Sequence, residues 1–328
     1  MRMSKRNIAI LSVIIVLVTL ASILLIYYFG ASYPKFSRTM EKEVDIPGLS
    51  EGFVPQGMAY VDSQDAYLIS GYMKDTSKPS RIYYVDAITN ENHYVTISGA
   101  SREELEYGHL GGVASSGDIV FVSSEETVMR FSIDNIKNAD NNTSVDVEGE
   151  FNPYNRASFC YADGNKLYVG EFYRKGNYET DASHVVNTAD GENRAIVNEY
   201  TIDESSPSGV VSTTPNLVIS LPNQVQGFCK TIDGKIVLST SYSIFDSKIL
   251  VYKDNTNNKT DRKIEINGSS VPLYILDSTN YIDTIKAPSM SEGLDYVDGR
   301  VHILFESACS KYAMVNRTRT KSVLSIKV

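Results

Sequence analysis

Gln56, His109, Arg156, Gln226 and Glu292 each stand one to three residues ahead of a small residue that opens a short apolar run. A second set, Tyr72, Glu125, Glu171, Tyr173, Tyr242 and Glu306, falls at the end of the apolar run that follows each of these or just past it. Amides, an imidazole, a guanidinium, carboxylates and phenols can together hydrogen-bond, pair charges and stack. That is the chemistry of holding a small polar ligand such as a sugar or a peptide end. Glu292 occupies the place that Gln fills at 56 and 226, and a carboxylate there, with carbonyl and amide oxygens around it, suits a hard cation such as Ca²⁺. Asp295 is three residues further on, which on an alternating strand puts it on the opposite face, so the two are not a ready carboxylate pair. Nucleophile and cofactor signatures are missing from the sequence: it has no G-x-S-x-G, no phosphate-cradling glycine loop, no dinucleotide fingerprint and no H-E-x-x-H. The four histidines, at 93, 109, 184 and 302, show no zinc-ligand spacing.

What positions these residues is an internal repeat. Residues 56–72, 111–125, 157–173, 226–242 and 292–307 share one plan, an apolar strand opening with a small residue, a tight polar turn and a second apolar strand. Asp163-Gly164, Asp233-Gly234 and Asp298-Gly299 mark the turns, since Asp-Gly tolerates the positive φ of a two-residue hairpin. A third strand follows at 81–86, 128–134, 197–203, 249–254 and 322–328, and a fourth at 93–97, 144–147, 217–221 and 263–266. Gly57, Gly112, Ser158, Gly227 and Gly293 align, with spacings of 55, 46, 69 and 66 residues, the length of a four-stranded propeller blade with its loops. The fifth unit ends without a fourth strand, and the unassigned strand 43–46 precedes the first unit. The N-terminal strand therefore completes the last blade and removes two exposed sheet edges. The fold expected is all-β, a five-bladed β-propeller. Six blades would require a strand pair inside residues 174–194, whose polar composition reads as a loop. In such a blade the start of the first strand and the end of the second share one face, so both sets of polar residues gather at one channel mouth. Cys160 and Cys229 fall at equivalent first-strand positions and are read as packing residues between blades.

The N-terminus adds a membrane expectation. Residues 8–29 form 22 positions without a charge, enough for a helix to cross a bilayer. A basic tail at 1–7, a signal anchor at 8–29, a tether at 30–42 and a propeller at 43–328 make a single-pass plasma-membrane protein with its bulk outside the cytoplasm. Tyr27, Tyr28, Phe29 and Tyr33 would form an interfacial aromatic belt. The chain carries −9 overall and −12 once Arg2, Lys5 and Arg6 are set aside, which argues against nucleic acid as a partner. Three cysteines are an odd number and too few for a disulfide scaffold.

The segments PQGMAY at 55–60, GHLGGVA at 108–114, VQGFC at 225–229 and SEGLDY at 291–296 resemble a group of secreted bacterial propellers. More distantly, PQGMAY followed by SRIYYVD at 80–86 is similar to the opening blade of plant-type glutaminyl cyclotransferases, which are five-bladed propellers. Those enzymes carry a glutamate at the end of the second strand, where this chain has Ser70-Gly71. The resemblance implies fold and export. The expected function is an extracytoplasmic propeller that binds a small polar ligand or a protein partner at its mouth. An enzyme, cyclotransferase-like or a metal-dependent hydrolase or lactonase, is the alternative.

Overall fold

The computed structural model describes residues 5–328, except the side chains of Ala9, Leu24, Ile26, Tyr28 and Phe29. Arg2 and the start of the basic tail, and the rings of Tyr28 and Phe29 in the expected aromatic belt, lie outside the described residues. Residues 1–34 and 35–328 are separate compact units. The first contains the helix Lys5–Phe29, whose span Lys5–Ile23 is long and apolar enough to cross a membrane.

The second unit is all-β, a five-bladed propeller. Each blade is an antiparallel meander. Blade 1 runs Phe53–Val61, Ala66–Met73, Arg81–Asp86 and Asn92–Ser98. Blade 2 runs Gly112–Ser116, Ile119–Ser124, Thr127–Ser132 and Gly149–Phe151. Blade 3 runs Phe159–Asp163, Lys166–Gly170, Ala195–Thr201 and Leu217–Leu221. Blade 4 runs Val225–Lys230, Lys235–Thr240, Ser247–Lys253 and Tyr281–Ala287. Blade 5 consists of Ser291–Val297, Arg300–Phe305 and Ser322–Ile326 with the N-terminal strand Glu41–Asp45 as its fourth member. Both faces of the inner strands are buried because each blade packs on two neighbours, which is why these strands read as apolar runs with little alternation. Phe121 and Val128 of blade 2 meet Leu167, Val169 and Tyr200 of blade 3, for example, and Val113, Val120 and Met129 meet Ala59, Leu68 and Ile82 of blade 1.

Two outer strands differ from the sequence reading. The segment at 144–147 was expected to finish blade 2, but Thr143–Asp146 lies parallel to Asn92–Ser98 and extends blade 1. Gly149–Phe151 takes the vacant place. Likewise Lys263–Ile266 was expected in blade 4, yet it pairs with Ser269–Ile275, which runs parallel to Leu217–Leu221 and widens blade 3 to six strands. Tyr281–Ala287 closes blade 4 instead. Both excursions cover an edge that would otherwise stay open. The insertion at 174–194 carries a hairpin of its own, Val186–Thr188 with Gly191–Asn193, too short to make a blade. In blade 3 the hairpin turns on Gly164-Asn165, since Asp163 pairs with Lys166, whereas Asp298-Gly299 is the central pair in blade 5 and both have positive φ.

Ring closure depends on polar and apolar contacts of the N-terminal strand. The Ser322 hydroxyl donates to Asp45 Oδ1 at 2.8 Å, the Arg300 guanidinium meets Glu41 at 2.9 Å, and Ser325 donates to Glu43. Hydrogen bonds from Lys42 and Ser322 hold the Asp45 carboxyl below its ordinary range. Val44 and Ile46 enter the core between blades 5 and 1, and Phe36 packs edge-on against Phe305. Each such side chain contributes about 1.5–3 kcal/mol on burial, so the three together rival the roughly 5–15 kcal/mol stability of a whole domain. Residues 35–328 are therefore expected to unfold in one cooperative transition, while residues 47–328 lack that transition and aggregate through the bared edge of Ser322–Ile326. Circular dichroism during urea titration of the two truncations checks this.

Candidate functional site

The mouth is assembled by backbone irregularity. In blades 1 and 4 the inner strand slips by one residue, leaving Gln56 and Gln226 opposite no partner, and in blade 5 Glu292 and Gly293 together face one residue. A bulge of this kind bends the strand and re-aims a side chain. Three bulges at equivalent positions thus deliver Gln56, Gln226 and Glu292 to the channel end.

A cavity of about 700 Å³ opens there, lined from all five blades. Gln56, Tyr72, His109, Glu125, Arg156, Gln226, Tyr242 and Glu306, eight of the eleven residues expected at the mouth, line it. Glu292 lies beneath the lining, 2 % exposed, and accepts a 3.4 Å hydrogen bond from Gln226 Nε2. Glu171 and Tyr173 are corrections. Glu171 is fully buried against the insertion and faces a second cavity, and Tyr173 is buried, with the Arg194 guanidinium 5.8 Å from its ring centre. Phe172, between them, lines the mouth instead, so alternation along the chain turns Glu171 and Tyr173 away from it.

The electrostatic centre is a pair of carboxyl groups. Glu306 closes the second strand of blade 5 and hydrogen-bonds Glu292 on the neighbouring strand, while Gln56 Nε2 donates to its Oε2 at 3.0 Å. Two carboxylates in contact and out of water cannot both ionise. Burial, reinforced by the Glu306 carboxyl, pushes Glu292 well above the ordinary carboxyl range, and burial pushes Glu306 up to about 8 against the opposing pull of Lys311. Both carboxyls therefore stay largely protonated at neutral pH, the pair comes down to one shared proton only as the pH passes about 8, and it can both donate and accept.

Aromatic groups and cations wall the pair. Tyr72 stacks on His109 with centroids 3.9 Å apart, and its hydroxyl accepts from Lys311 Nζ at 2.6 Å and lies 3.4 Å from the Tyr312 hydroxyl. Desolvation and Lys311 hold the His109 imidazole below its ordinary value, so it is neutral at pH 7. Across the opening, the Arg174 guanidinium sits 3.8 Å from the centre of the Tyr242 ring, tying the insertion to blade 4. Phe172, Met290 and Val315 add apolar surface. Asp295 belongs elsewhere: its carboxyl accepts from the Tyr60 and Tyr296 main-chain N–H groups at 2.6 and 2.7 Å and lines a cavity with the turn residues Asp163 and Gly164. Among the described residues no three His, Cys, Asp or Glu side chains converge as metal ligands. All three cysteines are buried and free, and Cys160 Sγ donates across the blade boundary to the Phe121 carbonyl at 3.7 Å.

The carboxyl pair makes a stability prediction. Below the ordinary Glu value both folded and unfolded states are protonated, but between that value and about 8 the folded state retains a proton that the unfolded chain has released. Stability is thus expected to fall as pH rises from about 4.5 to about 8, and Glu306→Gln, which keeps a donor and acceptor but cannot ionise, should flatten that slope. Urea midpoints measured from pH 4.5 to 9 on both proteins check the sign.

Neither a protein-family model nor a curated protein sequence matches the chain. Among solved structures it is similar to the PQQ-bound aldose sugar dehydrogenase of Streptomyces coelicolor, at 13% identity over 88% of this chain and 97% of that one, TM-score 0.46. It is also similar to a putative oxidoreductase (glucose dehydrogenase) of Thermus thermophilus, at 11% identity over 88% and 99%, TM-score 0.43. BamB of Moraxella catarrhalis matches at 11% identity over 84% and 85%, TM-score 0.34. These likenesses concern fold alone, and the blade count stands on the strand pairing itself.

Proposed function

We propose that this protein is a membrane-tethered propeller that binds a small polar ligand at the channel mouth, with the propeller held outside the cytoplasm. One observation carries the reading: polar residues from five different blades converge on a cavity whose 700 Å³ falls within the range of small-molecule sites. Two of them, Gln56 and Gln226, arrive there on strand bulges, which cost ladder hydrogen bonds and re-aim side chains, and a third bulge sets Glu292 beneath them. A protonated carboxyl pair at the floor can donate to and accept from one hydroxyl or amide at once, and the Tyr72 and Tyr242 rings offer faces to the ligand's apolar side. Arg156 and Lys311 favour a ligand bearing carbonyl or carboxylate oxygen in addition. Support for the tether comes from the N-terminal helix, which suits a single-pass anchor or a signal sequence.

The test is calorimetric titration of the full chain in detergent micelles with a panel of mono- and disaccharides and di- and tripeptides. At least one compound should bind, and His109→Ala with Tyr242→Ala should weaken it at least about 10-fold, the loss of one or two stacking and hydrogen-bond contacts. Equal binding by the folded double variant overturns the site, and so does the absence of any heat from the whole panel.

A further inference from the structure

The second cavity holds a pairing that the mouth does not explain. Glu171 follows the second strand of blade 3, where the insertion begins, and the insertion returns His184 to it through the 3₁₀ turn Ala182–His184, capped by Asp181 accepting from the Ser183 N–H at 2.8 Å. Both side chains are deeply buried, and His184 Nδ1 lies 2.8 Å from Glu171 Oε1. The Glu171 carboxyl also receives the main-chain N–H groups of Ile196 at 3.2 Å and Arg156 at 3.3 Å. A carboxyl that meets two N–H donors stands as acceptor, so Nδ1 carries a proton and Nε2 is the lone-pair nitrogen of the neutral ring. Among the described residues nothing hydrogen-bonds Nε2, and it is not among the sealed polar atoms. The residue lines a cavity of about 490 Å³ with Arg156, Glu179, Thr180 and Ser183.

We propose that His184, held in this tautomer by Glu171, is the general base of a hydrolytic site for small polar esters in the second cavity. A nitrogen base presented to a polar cavity by a buried carboxylate is the arrangement that activates water or a hydroxyl. In the step, water gives one proton to Nε2 as its oxygen bonds to the ester carbonyl carbon, and the carbonyl π pair moves onto oxygen, where Arg156 is the cation available to it. The tetrahedral species re-forms the carbonyl and expels the alkoxide, which takes the proton from Nε2. Ester and water become acid and alcohol, with no other reactant. Glu171 is a positioning residue, since it acts only through the imidazole. A lining that is mostly polar, with Ile266 and Tyr154 as its apolar members, selects esters with hydroxyl or amide groups over long acyl chains.

The full chain in detergent is assayed with 4-nitrophenyl acetate, dihydrocoumarin and γ-butyrolactone. The expected result is saturable hydrolysis of at least one probe and a loss of about 10²–10⁴-fold in His184→Gln, the usual worth of a positioned base. Glu171→Gln should lower kcat with KM unchanged, because it disturbs the tautomer and leaves the cavity in place. Ile88→Ser, at an exposed position outside both cavities, should retain the activity. No hydrolysis above buffer by the wild type overturns the proposal. Undiminished hydrolysis by a His184→Gln protein whose urea midpoint matches the wild type does so as well. If Glu171→Gln fails to fold, His184→Gln alone decides.

Discussion

Five inner strands approach so closely around the axis that most of them have no room for a side chain at one position. A Cβ on Gly57 would come within 2.6 Å of Gly112 Cα, one on Gly112 within 2.3 Å of the Cys160 nitrogen, one on Gly227 within 2.6 Å of the Glu292 carbonyl oxygen, and one on Gly293 within 2.8 Å of the Met58 nitrogen. These contacts link blade 1 to 2, 2 to 3, 4 to 5 and 5 back to 1, so the glycines form a belt of backbone against backbone. Everything else is arranged around that belt. Blades can splay outward from it only if their outer edges are filled, hence the N-terminal strand in blade 5 and the strands borrowed into blades 1 and 3. The same belt brings the bulged residues Gln56, Gln226 and Glu292 together, because each directly precedes a belt glycine.

The belt also explains the electrostatics of the mouth. Close strand packing leaves little water beneath the cavity floor, and a carboxyl group placed there must find a partner or stay protonated. Glu292 and Glu306 solve this jointly, by holding their protons, hydrogen-bonding each other and taking an amide from each adjoining blade. The carboxyl pair is thus a consequence of architecture as much as a recognition element. Tyr72, Lys311 and Tyr312 form a polar chain beside it and keep that side of the opening ordered.

Much of this was legible in the sequence, and the remainder was hidden for identifiable reasons. The inner hairpins could be read because burial on both faces demands apolar runs and close approach demands glycine, both visible in one sequence. The outer strands could not, because an edge strand is half solvated and its partner is set by a loop's path: residues 143–146 and 263–275 have ordinary strand composition and simply cross to the preceding blade. Most mouth residues were found by blade equivalence. Glu171 and Tyr173 were misplaced because Phe172 between them is the residue that faces the mouth, and the Glu292–Glu306 contact depends on a bulge that strand alternation does not foresee. His184 carried no signal at all, since its partner is 13 residues away along an irregular loop.

The central claim is that packing at the propeller's axis keeps two contacting mouth carboxyls protonated through neutral pH. Direct titration by ¹³C NMR of the full chain labelled at glutamate Cδ, with Glu292→Gln and Glu306→Gln used to assign the two signals, addresses it alone. The structure requires one signal to titrate near 8 and its partner to stay protonated beyond it, with both moving when either residue is replaced. Two independent titrations in the ordinary glutamate range of about 4.3 would contradict it.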